Sequence, residues 1–130
     1  MKEYTYIIPG IIPPSMNKYK GRNAQWAYRK DKKNWDTIVW AALQNGEKPP
    51  VPLRRAILEL CYFFTDNRKR DPNNYSGHFL TDPLQKYKII EDDSFQCIRL
   101  VLMAKFKTAE TGVQIRVISL EGDFDEFSEY

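Results

Sequence analysis

The sequence predicts a small α+β domain with the element order β-α-β-α-β-β, a mixed sheet and two helices. Three observations lead there. Short runs of aromatic and β-branched residues are bounded by Pro, Gly and Asn, as strands are. One long stretch repeats its apolar residues at helical spacing. A chain of 130 residues with 42% hydrophobic and 14% aromatic content has enough apolar material for one folded core.

Tyr4 to Ile8 reads as the first strand, closed by Pro9-Gly10, and Pro13-Pro14-Ser15-Met16-Asn17 has loop composition. From about Tyr28 to Gln44, Trp35, Ile38, Val39, Ala42 and Leu43 recur on one helical face, with Arg29, Lys30, Lys32 and Lys33 crowding the first turns. Asn45-Gly46 is its expected stop, and Pro49, Pro50 and Pro52 make a stiff connector. Ala56 to Thr65 is a strongly apolar second strand. A short helix is expected after Asp71-Pro72, ending by Asp82 because Pro83 disfavours helical geometry in the residue before it. Phe95 to Lys107 and Val113 to Leu120 read as two more strands, joined by a hairpin through Thr108–Gly112. Residues 1–120 form the domain, and residues 121–130 form an acidic tail in which Phe124, Phe127 and Tyr130 alternate with acids.

No run of about 18 apolar residues exists, so no membrane span is expected. The first ten residues carry no apolar segment of signal-peptide length. Cys61 and Cys97 lie in apolar runs and read as buried thiols of a reducing compartment, which points to a cytoplasmic protein. Two cysteines and one histidine do not make a zinc site. The net charge of +3 hides an asymmetry. The tail holds five acids and no base, so the first 120 residues carry 20 bases against 12 acids, a net of +8. Such a body favours a polyanionic partner.

The densest chemistry lies between Asn67 and Asp93. Arg68, Lys69 and Arg70 lead into Asp71-Pro72-Asn73-Asn74, Asp82 follows, and Glu91, Asp92 and Asp93 close the stretch. Carboxylates beside cations suit a site that handles phosphate through a hard divalent ion, since Mg²⁺ takes oxygen ligands, one or two of them carboxylates. His78 and Asp82 stand four apart, on one face of the expected helix. Lys18, Lys20, Arg22, Arg29, Lys30, Lys32 and Lys33 interleave with Tyr19, Trp26, Tyr28 and Trp35, a pattern of phosphate contacts with rings available for stacking. Trp35 and Trp40 are expected in the core, and Trp26 in an exposed loop.

Read together, Pro13-Pro14-Ser15-Met16-Asn17-Lys18-Tyr19, Arg68-Lys69-Arg70-Asp71-Pro72-Asn73-Asn74 and Ile90-Glu91-Asp92-Asp93-Ser94 resemble the RusA family, small and often phage-encoded Holliday-junction resolvases. The resemblance runs from Tyr4 to Leu120. It implies a Mg²⁺-dependent endonuclease that works as a homodimer and nicks two symmetry-related strands of a four-way DNA junction. It matches Asp71 to the family's first essential acid, Asn74 to the Asn that closes that motif, and Asp93, with Asp92 beside it, to a later one. Pro14, Ser15 and Asn17 match the family's early loop. By this resemblance Asp71, Asp92 and Asp93 hold Mg²⁺, or Mn²⁺, with Asn73 or Asn74 as a neutral ligand. Arg68, Lys69, Arg70 and Asn74 hold DNA, helped by Asn17, Lys18, Lys20, Arg22, Lys32 and Lys33.

Two positions depart from the family pattern. Asn73 stands where the family has a second Asp, which removes one unit of attraction for the cation. His78 stands where an essential Lys precedes the acid matched by Asp82, and it is a weaker fixed charge at neutral pH. Two outcomes are therefore expected: weakened cutting, or a dimer that binds branched DNA without cutting it. A further alternative is an interaction protein whose acidic, aromatic tail imitates nucleic acid.

Overall fold

The computed structural model describes residues 2–120. The expected acidic tail lies outside them. Four strands, β1 (Glu3–Pro9), β2 (Ala56–Phe63), β3 (Ile98–Lys105) and β4 (Gly112–Ser119), alternate with two helices, α1 (Ala24–Gln44) and α2 (His78–Lys86). Short 3₁₀ turns at Met16–Lys18 and Pro72–Tyr75 complete the path. The order β-α-β-α-β-β and the mixed sheet are those read from the sequence.

The sheet order is β1-β4-β2-β3, with β2 parallel to β3 and β4 antiparallel to both β1 and β2. The expected β3–β4 hairpin does not form, because β2 lies between them. The two strands with the most buried residues, β2 and β4, hold the centre, and β3, largely exposed, takes an edge. Tyr4, Tyr6 and Ile8 alternate inward from β1 and meet Leu58, Leu60 and Tyr62 of β2 and Val113, Ile115 and Val117 of β4 on one face. Trp35, Val39 and Leu43 of α1, at i, i+4 and i+8, and Phe79, Leu80 and Leu84 of α2 cover that face. Each fully buried leucine contributes about 1.5–3 kcal/mol. The opposite face carries Arg116 between Glu3 and Glu59, at 2.5 and 2.7 Å.

The helices differ from expectation at their ends. α1 starts four residues earlier, since Ala24, Gln25 and Ala27 are good helix formers even without an apolar stripe. Trp26 is therefore on a helix, not in a loop, though it is 66% exposed as expected, with Lys30 over its ring at 5.3 Å. Trp40, expected in the core, is 46% exposed, because the buried stripe runs through Trp35, Val39 and Leu43. After Asp71 the chain makes only the 3₁₀ turn. Gly77, at φ +92°, then starts α2, which runs through Pro83 instead of ending before it. The end comes at Lys88, in the left-handed region at φ 65°. There the Ile89 N–H reaches the Leu84 carbonyl at 2.9 Å and the Lys88 N–H the Gln85 carbonyl at 3.1 Å, the Schellman pattern of helix termination.

Candidate functional site

The segment that leaves β2 is organised by Asp66. Its carboxylate accepts the Arg68 backbone N–H at 3.1 Å and both guanidinium nitrogens of Arg70, at 2.6 and 3.2 Å. These bonds, Arg70 first, hold the Asp66 carboxyl well below the usual carboxylate range. The Arg70 guanidinium also lies 3.9 Å from the Phe64 ring centroid. Arg68 reaches Asp66 through Nε at 3.3 Å. Of the predicted DNA-holding run, Arg70 is thus committed to the protein, Arg68 is shared, and Lys69 is exposed with no ion pair among the described residues.

Asp71 is exposed and extended, at φ −98° and ψ 125°. It caps the 3₁₀ turn: its Oδ1 accepts the Asn73 N–H at 3.0 Å, and its carbonyl accepts the Asn74 N–H at 2.9 Å. Pro72 sets the first turn position. Asn73 therefore meets Asp71 through its backbone. His78 opens α2 in solvent, and its side chain makes no hydrogen bond or ion pair among the described residues. Asp82, one turn on, pairs with Lys32 of α1 at 3.2 Å.

That pair spans a groove between α1 and α2 of about 480 Å³. Arg29, Lys32, Lys33 and Lys86 line it against Asp36 and Asp82, leaving net positive charge. Asp36 is occupied by Lys86 at 3.2 Å and by the Tyr87 hydroxyl at 2.5 Å. Beyond the start of α1, Lys20 and Arg22 are exposed. Lys18 is paired with Asp31 at 2.7 Å, and the Tyr19 hydroxyl donates to the same carboxylate at 2.7 Å. Asn17 is exposed, its backbone N–H held by the Ser15 hydroxyl at 3.2 Å.

The later acids lie elsewhere. A bridge between Leu53 and Ile90 ties their segment to the start of β2. The Ser94 hydroxyl bonded to Asp92 lowers that carboxyl's pKa, and Asp93 is exposed. Nearby Cys97, a free thiol like Cys61, donates to the Leu53 carbonyl at 3.4 Å, and burial pushes its pKa up. The parallel register pairs Ala56 with Ile98 and Phe63 with Lys105. Asp92 and Asp93 precede the first end of this pair, whereas Asp71 shares a cleft with Leu102, Met103, Ala104 and Phe106 at the other. Seven residue steps at about 3.3 Å each put the two ends roughly 23 Å apart. A Mg²⁺ ion binds its ligands at about 2.0–2.1 Å, so Asp71, Asp92 and Asp93 of one chain do not fit one cation. Among the described residues no group of three or more His, Cys, Asp or Glu side chains is placed to hold a metal.

The cleft beside Asp71 was not anticipated from the sequence. It encloses about 180 Å³ between Tyr62, Phe64, Arg70, Tyr75 and Phe106. Phe64 stacks on Phe106, with centroids 5.5 Å apart and planes at 20°, and meets Tyr75 edge-on at 5.5 Å. The Tyr62 hydroxyl bonds the Tyr75 carbonyl at 3.3 Å. The signal lay in aromatic residues at the ends of two strands, Tyr62 and Phe64 at one and Phe106 at the other, which only the parallel pairing of β2 with β3 brings together.

No family model matches the chain, and no curated protein matches it.

Proposed function

We propose that this protein is a RusA-like endonuclease that acts on branched DNA as a homodimer, with each metal centre completed by acids from two chains. The observation that carries the reading is the placement of carboxylates at opposite ends of the β2–β3 pair, exposed Asp71 at one and half-buried Asp92 with exposed Asp93 at the other. In an isologous dimer the same surface serves both copies, so a two-fold axis across this strand pair sets one copy's Asp71 end beside its partner's Asp92–Asp93 end, twice. Such a donor set is all oxygen and anionic, as Mg²⁺ or Mn²⁺ takes. A cation bound there activates water and neutralises charge on a phosphodiester. The cationic groove between α1 and α2, with Lys20, Arg22 and Lys69, supports the DNA backbone, and two such surfaces on one dimer suit a symmetric four-way junction.

The test is a synthetic four-way junction against a linear duplex of the same sequence, with Mg²⁺, Mn²⁺ or chelator. Paired nicks in the junction are expected with metal and none with chelator, and Asp71→Asn should bind without nicking. Absence of both junction preference and metal-dependent nicks overturns the reading. A second reading, a branched-DNA binder that does not cut, is favoured by Asn73, which brings no charge and whose N–H occupies an oxygen of Asp71. Asn73→Asp separates them. A rise in nicking of about tenfold or more, the effect of one metal-site group, supports the nuclease. Retained binding with no nicking supports the binder.

A further inference from the structure

The contact that joins the two copies is also legible in the fold. We propose that two chains pair antiparallel along β3 and that Phe95 of each fills the aromatic cleft of the other. This rests on the homodimeric reading above and names its surface and anchor.

β3 is an edge strand, and Leu100, Val101 and Met103 on it are exposed. An apolar edge with unpaired backbone groups is a template for another strand. At its N-terminal end, Phe95 is 86% exposed, a full aromatic ring left in water. The ring is not on a loose loop. The Cys97 and Ile98 N–H groups both bond the Ser94 carbonyl at 3.0 Å, and the Arg99 guanidinium donates to the Phe95 carbonyl. At the C-terminal end of the same strand lies the cleft walled by Phe64, Arg70, Tyr75 and Phe106. Its volume of about 180 Å³ matches the size of cavity, about 150 Å³, known to take a benzene ring.

Within one chain the ring and the cleft are held apart by the length of β3. Antiparallel self-pairing about a two-fold axis near Leu100 and Val101 brings each Phe95 turn to the Met103–Phe106 end of its partner, and does so twice. Charge agrees with this direction. Glu91, Asp92 and Asp93 adjoin the ring, and Lys69, Lys105 and Lys107 adjoin the cleft, so antiparallel pairing sets acids against bases at both ends. It also delivers Asp92 and Asp93 to Asp71, which lines the same cleft. The ring thus acts as the anchor residue of the interface and as the register mark for the shared carboxylates.

The experiment is light scattering and sedimentation of the full-length chain over a concentration series. The parent should dimerise. Phe95→Ala should weaken the dimer at least about tenfold, the loss expected of an anchor residue, with the unfolding curve of the monomer unchanged, since the exposed ring supports nothing in its own chain. Leu100→Cys or Val101→Cys should crosslink across the axis under mild oxidation, while buried Cys61 and Cys97 do not, and adding Phe95→Ala should abolish the crosslink. A monomeric parent, an unaltered dimer in Phe95→Ala, or no crosslink from either cysteine overturns the proposal. A Phe95-dependent dimer that neither binds nor nicks junctions keeps this contact and overturns the nuclease reading. Junction nicking that survives Phe95→Ala unchanged does the reverse.

Discussion

Gly77 stands between the 3₁₀ turn and α2 at φ +92°, and a methyl group there would lie 2.8 Å from Leu60 Cδ1. Two costs coincide: a left-handed backbone, about 1–2 kcal/mol for a side chain, and overpacking against a fully buried leucine, about 1–3 kcal/mol. Gly21, at φ +86°, meets nothing within 4 Å. Urea unfolding should therefore show Gly77→Ala losing about 2–5 kcal/mol and Gly21→Ala only about 1–2 kcal/mol. Equal losses would mean that Leu60 yields freely. At this scale the sequence was informative about residue types and silent about their partners. Arg68, Lys69 and Arg70 read as three equivalent cations, yet Asp66 and Phe64 take Arg70 out of solvent and leave Lys69 exposed. Only the folded loop, with Asp66 four residues before Arg70, sets that difference.

β1 was legible because it alternates toward one covered face, β2 and β4 because they are dense apolar runs, and α1 because its stripe repeats every three to four residues. The termini of α2 were not. Its start depends on a glycine conformation and its stop on Lys88 in the left-handed region, where glycine is the usual marker. Pro83, the expected breaker, lies inside the helix, where it forgoes one backbone bond and is buried. The β3–β4 neighbourhood was misread because strand order follows burial, and burial is shared among strands distant in sequence. The loop after β2 has its own pH response. Asp66, its carboxyl depressed chiefly by Arg70, favours the folded loop above the unfolded carboxylate pKa of about 3.9. That contribution falls away as pH drops through this value toward the lower folded one. Protection of the amides in residues 64–71, relative to the free-chain exchange rate at each pH, should fall over that range. Asp66→Asn should copy the effect at neutral pH, with faster tryptic cleavage after Arg68, Lys69 or Arg70. An unchanged cleavage rate would show that the bonds to Asp66 do not hold the loop.

For the molecule as a whole, the sequence showed which segments carry chemistry and hid how far apart they fold. Asp71 and Asp93 are close in the chain, but α2 carries the backbone from one end of the parallel β2–β3 pair to the other. On the proposed dimeric reading, each copy has half a donor set at either tip of an exposed strand. A centre assembled this way permits complementation between two inactive proteins. Asp71→Asn and Asp93→Asn should each abolish nicking alone. In a mixed dimer both lesions fall in one centre and leave the other intact. Mixing the two variants should then restore single-strand nicks in at most about half of the dimers, by random exchange of subunits. Such a half-repaired enzyme would open one arm of a junction and stop, which separates the first incision from the second.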